Sequence, residues 1–332
     1  MSSTIKICSV IIGTIIGAGF ISGQEIYSFF NKYGKIGQIG IIIAITLIAI
    51  IIYKTCKIVQ NQKIENYEEF LEKTIKSKNK MTIYTIKNII NIFLVISFFI
   101  MCSAFSTFCY ENYKTPPIIG GMIISILSYI ILKKDVKAII KLNTILMPII
   151  IIFIIAIGII VTKWNTVLPQ STNITQPIIK GILYANYNCI VLIPMLITLN
   201  KEIKSKKQIK NISIIIFIIM YILVEIIYMA QNKIEIKQVE MPMLEISKQI
   251  SQGCVAIYGI MTGIAIVTSA ISAGISLINN LKTSEKVKQI ILIFLCTISI
   301  PISTISFASL VNLAYPVFGV LGIIQIIFIL KT

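Results

Sequence analysis

Apolar runs of membrane-spanning length recur from one end of this chain to the other, with short polar gaps between them. A run of about 20 apolar residues is long enough to cross a bilayer as a helix. The pattern predicts about ten spans on that criterion. The first five are Ile5–Phe30, Ile36–Ile52, Thr82–Tyr110, Pro117–Leu132 and Ile139–Val161. The second five are Pro177–Leu199, Ile212–Ala230, Ser251–Ile278, Gln289–Leu310 and Ala314–Leu330. The longest gap contains NYEEFLEKTIKSKNK, Asn66 to Lys80, which reads as a short charged surface helix with no chemistry of its own.

Two spans depart from the greasy pattern. GTIIGAGFISGQEI, Gly13 to Ile26, puts four glycines and a carboxylate inside the first. Gly13 and Gly17, then Gly19 and Gly23, are each four apart, a spacing that also suits close helix packing. Ser22, Gln24 and Glu25 follow the glycines directly, and polar groups at membrane depth mark sites and pathways. GILYANYNCIVLIP, Gly181 to Pro194, places Tyr184, Asn186, Tyr187 and Asn188 in the middle of the sixth span. Spans one and six hold corresponding positions if ten spans form two repeats of five. Paired interruptions of that kind point to a transporter site. An unwound stretch frees backbone N–H and C=O groups, tolerated at membrane depth only inside protein or along a cavity. The breaks are therefore expected at Gly17–Gly19 and Tyr184–Asn188.

Composition agrees with a membrane protein. The 332 residues are 56% hydrophobic and 13% charged, with a mean hydropathy of +0.91, far from soluble-domain composition. The formal charge of +17 comes from 30 lysines, without Arg or His. The lysines lie in the gaps rather than in one block, which excludes a nucleic-acid-binding surface. With the N-terminus in the cytoplasm, 22 lysines fall inside and eight outside, so both termini are expected to be cytoplasmic in the cell membrane. The first span is too long, and too rich in glycine, to be a cleavable signal. The seven cysteines stand singly, without metal-type spacing, and read as small packing residues. Of 13 acidic residues, only Glu25 and Glu225 fall within spans. Either is a candidate to pair with a substrate ammonium or to carry a proton.

The stretch GTIIGAGFISGQE resembles the first helix of the YkvI-like bacterial membrane proteins, of the amino acid–polyamine–organocation superfamily. That resemblance implies an all-α membrane domain over residues 1–332, with the LeuT-type five-plus-five inverted repeat. Repeat one would be about 5–161 and repeat two about 177–330, with helices one and six broken. In the sodium-coupled members, carbonyls of helix one and a carbonyl with two hydroxyls of helix eight hold one cation. Gly13 and Ile16 match the first set. AIVTS matches the second, with Ala265, Thr268 and Ser269. Five hard oxygens suit Na⁺. The helix-five lysine of proton-coupled relatives is missing from Leu142 to Ile160, and Phe20 stands where a second sodium site would need an Asn. Substrate would lie at the same breaks, at Gly17, Ala18 and Gly19 with Ser22 and Glu25. Tyr184, Ala185, Asn186, Tyr187 and Asn188 would face it, and Ser97, Phe98 and Ser103 of helix three would close a third side. Some relatives also have a helix-seven carboxylate, for which Glu225 is the coupling candidate.

The expectation is thus a sodium-coupled transporter of a small amino acid or related zwitterion, with Na⁺ as coupling ion and no cofactor. A ligand-sensing subunit of the spore germinant receptor type, or a proton-coupled transporter, is the alternative. An enzyme is not expected, because the chain has no His, a single Asp (Asp135) and no clustered acid–base pair.

Overall fold

The computed structural model describes residues 3–75, 80–133, 137–166, 173–234, 239–281 and 283–332. Asp135 and the end of the charged gap, residues 76–79, lie outside them. All regular structure among the described residues is helical. That follows from the solvent: in hydrocarbon, a helix satisfies its own backbone groups without a partner segment.

The first span is divided into α1 (Ser3–Ile15), α2 (Ala18–Ile21) and α3 (Gln24–Phe29). A 3-10 turn, Asn31–Ile36, leads into α4 (Gly37–Gln62), and the charged gap forms α5 (Tyr67–Ile75). Then follow α6 (Lys80–Tyr113), α7 (Pro117–Leu132) and α8 (Lys137–Val161). The second half holds α9 (Thr175–Leu199), α10 (Lys206–Gln231), short α11 (Pro242–Ile250) and α12 (Gln252–Asn280). It ends with α13 (Glu285–Ile302) and α14 (Phe307–Lys331).

Six helices among the described residues are long and apolar enough to cross a membrane: α4 with its leading turn, α6, α9, α10, α12 and α14. Shorter apolar helical stretches are Thr4–Ile15, Pro117–Leu132 and Met147–Val161. Large apolar side chains stand on the outer surface, with Ile152, Ile159, Phe294 and Leu313 each 65–70% exposed. A surface of this kind suits lipid and would drive aggregation in water. The protein is a multi-pass, all-α membrane protein.

The boundaries have local causes. Ser205, Ser251 and Ser306 cap α10, α12 and α14, each hydroxyl accepting from the N–H three residues on, at 3.1–3.2 Å. The Ser306 cap corrects one expectation: α13 ends at Ile302 and α14 begins at Phe307, where the sequence places the start at Ala314. The apolar FASL masked that start.

A second correction concerns α9, which runs unbroken through Tyr184–Asn188. Two of its polar side chains find partners without unwinding. The Tyr187 hydroxyl donates to Glu25, and Asn188 Nδ2 donates to the Tyr184 carbonyl at 2.9 Å. No glycine follows Gly181 in the helix to make unwinding cheap.

α9 packs between α4 and α14, α6 packs along α12, and α4 also meets α10. α1 meets α8, α9 and α10. α7 meets α6, α12 and α13, and α13 also meets α6. α8 meets α10 and α12, and α14 meets α4 and α6. At the α4–α9 crossing the backbones nearly touch: a Cβ on Gly181 would lie 3.1 Å from the α-carbon of Gly40 and closer still to its carbonyl oxygen. Replacing Gly181 with Val should therefore force the helices apart and cost about 1–3 kcal/mol. Gly253→Ala, which meets nothing closer than the Ser251 hydroxyl at 4.0 Å, should be nearly neutral. Thermal unfolding of the two variants in detergent checks the difference.

Candidate functional site

The site begins where α1 stops. Ile16 N–H still reaches the Ile12 carbonyl at 2.8 Å. Gly17 N–H instead turns to the Ile15 carbonyl at 3.1 Å, and Gly17 is extended, with φ −98° and ψ −173°. The Gly13 and Thr14 carbonyls thereby lose the donors that would continue the helix. The chain recoils at α2, with the Phe20 and Ile21 N–H groups both on the Gly17 carbonyl at 3.1 Å.

A second interruption follows at Ser22–Gly23. Gly23 has φ +82°, a conformation that favours glycine. The Ser22 hydroxyl donates to the Gly19 carbonyl at 3.0 Å and accepts from Gln24 N–H at 3.3 Å. Three further elements grip this turn. The Tyr258 hydroxyl of α12 donates to the Ile21 carbonyl at 2.6 Å, and Gln231 Nε2 of α10 to the Gly23 carbonyl at 2.7 Å. Met243 N–H at the start of α11 donates to the Ser22 carbonyl at 2.9 Å.

Glu25 stands in the first turn of α3 and folds back against Gly19. A Cβ on Gly19 would lie 2.8 and 2.9 Å from Glu25 Cγ and Cδ. The absent side chain of Gly19 is the room that the carboxyl group occupies. Glu25 is 3% exposed, and its Oε2 accepts from the Tyr187 hydroxyl. The Tyr187 ring stacks on Tyr315 of α14 at 4.7 Å and on Phe29 at 5.6 Å.

Glu25, Tyr187 and Tyr315 line a cavity of about 330 Å³, together with Gly13, Ile16 and Gly17. A stripe of α12, Ser269, Ser272, Ala273 and Ser276, forms one wall at helical spacing. Ser97 and Met101 of α6 and Asn188, Val191 and Met195 of α9 form others. Ser272 and Ser276 are exposed, whereas Ala18, Phe20 and Ile21 are wholly buried. The cavity thus opens at the end of the bundle holding the start of α1, and the gripped Ser22–Gly23 turn closes the other.

The residues singled out in the sequence divide accordingly. Gly13, Ile16, Gly17, Glu25, Tyr187, Asn188, Ser269 and Ser97 meet at the cavity. Ala18, Gly19 and Ser22 are packed in the recoiled segment beside it. Tyr184, Ala185 and Asn186 are buried on the other faces of α9, with the Tyr184 ring edge-on to Phe29 at 5.3 Å. The Ser103 hydroxyl is spent on the Ile305 carbonyl at 2.6 Å. Ala265 and Thr268 are buried in α12, and the Thr268 hydroxyl donates to the Ala265 carbonyl at 3.1 Å. Glu225 lies on α10 away from the cavity, its Oε1 accepting from Gln38 Nε2 at 2.6 Å. Tyr315 and Ser272 were not legible as site residues, although the i, i+3, i+7 serines of α12 carry the signal for one wall.

No family model matches the chain. It is similar to the uncharacterized membrane protein YkvI of Bacillus subtilis (strain 168), 24% identical over 335 residues, covering 96% of this chain and 92% of YkvI. It is also similar to the uncharacterized protein YyaD of the same organism, 22% identical over 330 residues, covering 97% of this chain and 94% of YyaD.

The Gly19–Glu25 contact yields a double-mutant test. Gly19→Ala should cost about 1–3 kcal/mol of stability, because the methyl group displaces a packed carboxyl group. With Glu25→Ala already present, the same change should cost only about a few tenths of a kcal/mol. Unfolding midpoints of the four proteins measure the coupling.

Proposed function

We propose that this protein is a sodium-coupled secondary transporter of a small amino acid or related zwitterion, working by alternating access. The observation that carries the reading is the cavity itself. It is open at one end of the bundle, closed at the other, and ends on an interrupted helix and a buried carboxylate.

The helix packing supports two repeats of five. Let α9, α10, α12, α13 and α14 correspond to the α1–α3 unit, α4, α6, α7 and α8. The α4–α9 contact then has its counterpart in α10–α1, and α7–α12 in α13–α6. In the same way α14–α6 answers α12–α8, α14–α9 answers α8–α1, and α14–α4 answers α8–α10. Ten crossings arranged as an inverted repeat account for every one of these pairs. The unbroken α9 departs from the expected arrangement, so the first repeat alone supplies free backbone groups. With the termini cytoplasmic, as the lysine distribution favours, the cavity faces inward.

Three of the five expected Na⁺ ligands, Gly13, Ile16 and Ser269, share the cavity, which supports the sodium reading. The Gly13 carbonyl is released by the break, and Ile16 and Ser269 line the same cavity. Thr268 lies one position before Ser269 in α12, and its hydroxyl, which donates to the Ala265 carbonyl, still has lone pairs to offer. A bound cation left short of oxygens bears uncompensated desolvation. Ser269→Ala and Thr268→Val should therefore each weaken Na⁺-dependent substrate binding, by about tenfold for a ligand worth 1.4 kcal/mol. If those hydroxyls serve only their own helix, the variants will keep the wild-type Na⁺ dependence.

Reconstitution into proteoliposomes tests the class. The expected result is solute accumulation driven by an inward Na⁺ gradient and abolished when the gradient is dissipated. Binding without flux would indicate a sensor of the germinant-receptor type. Accumulation driven by a proton gradient alone would remove the sodium assignment.

A further inference from the structure

We infer that the pole of the substrate recognised by this cavity is an ammonium group, and that a carboxylate on the same molecule is dispensable, so that simple alkylamines are ligands. The inference rests on the cavity being the substrate site. Among the described residues lining it, Glu25 is the only charged side chain, and the hydrogen bond it accepts comes from the Tyr187 hydroxyl. A carboxylate at membrane depth with one hydroxyl partner is short of counter-charge. Tyr187 and Tyr315 line the same end of the cavity as a stacked pair. Phe29 stacks on Tyr187 as well, so the Tyr187 ring is a packed support and its hydroxyl is the group turned to Glu25. A carboxylate in this aromatic corner suits R–NH₃⁺ and repels an anion.

Nothing comparable awaits a substrate carboxylate. The cavity's other polar side chains, such as Ser97, Ser269 and Asn188, are neutral. The Ala18 and Gly19 backbone is packed within the recoiled segment and does not line the cavity. A zwitterion would therefore bind through its ammonium, with its carboxylate adding repulsion from Glu25 rather than a contact.

The test compares matched pairs on the full-length protein in detergent, by titration calorimetry at pH 7: isobutylamine against valine, and isoamylamine against leucine. Each amine should bind at least as tightly as its amino acid, and isobutanol, the uncharged counterpart, should not bind. Glu25→Gln should weaken amine binding about tenfold or more, the loss of one charge-assisted hydrogen bond. The wild-type comparison stands even if that variant does not fold. Binding of valine without isobutylamine, equal binding of isobutanol, or no binding of any of the four charged compounds would overturn the inference. So would unchanged amine affinity in a folded Glu25→Gln protein. Gradient-driven uptake of a solute without an amine would overturn it while leaving the transporter reading intact.

Discussion

A carboxylate at membrane depth needs donors and room, and the site is organised around giving Glu25 both. The donor is the Tyr187 hydroxyl of α9, and the room is the missing side chain of Gly19. Neither would suffice in a continuous helix, where residues 19 and 25 stand six positions apart and their side chains point to different faces. The interruption at Ser22–Gly23 brings α3 round so that Glu25 reaches back over α2. The break at Gly17 then releases the carbonyls that line the cavity below. The two interruptions in one short stretch thus do different work: one places a charge, the other frees backbone.

The surrounding helices hold this arrangement from opposite directions. α9 is held tightly between α4 and α14, and at Gly181 the backbones approach too closely for any side chain. That makes α9 a rigid support for Tyr187 rather than a second flexible segment. The recoiled turn is held by single hydrogen bonds from three separate elements, α10, α11 and α12. A few such bonds, each worth about 0.5–1.5 kcal/mol net, are a weaker hold than the packing of α9. In the proposed transport cycle, the closed end would open by parting those contacts, with α9 left intact.

The sequence made the membrane character legible because lipid leaves few choices: long apolar runs must become helices, and glycines beside a carboxylate must mean an interruption. It made the first break legible to within two residues. It misleads at α9, where four mid-span polar residues, Tyr184, Asn186, Tyr187 and Asn188, suggest a break and instead sit in a continuous helix. Which face Tyr187 presents is decided by Glu25, 162 positions earlier, and no local pattern encodes that. Glu225 looked equivalent to Glu25 for the same reason, since both are lone acids in apolar helices. Only packing separates the carboxylate in the cavity from the one held by Gln38. The start of α14 was missed because a serine cap was outweighed by the apolar residues after it.

The central claim is that water reaches the interrupted helix from one end and stops at the recoiled turn. Thiol accessibility along that helix tests it most directly. In a Cys254→Ser background, which removes the one cysteine that is not buried, single cysteines are placed at Ser9, Gly13, Gly17, Phe20 and Ile21. A water-soluble maleimide should modify the first three and spare the last two, since only the first three line the cavity. Equal protection at all five positions, as in a continuous packed helix, or modification of Phe20 and Ile21 alone, would contradict the account.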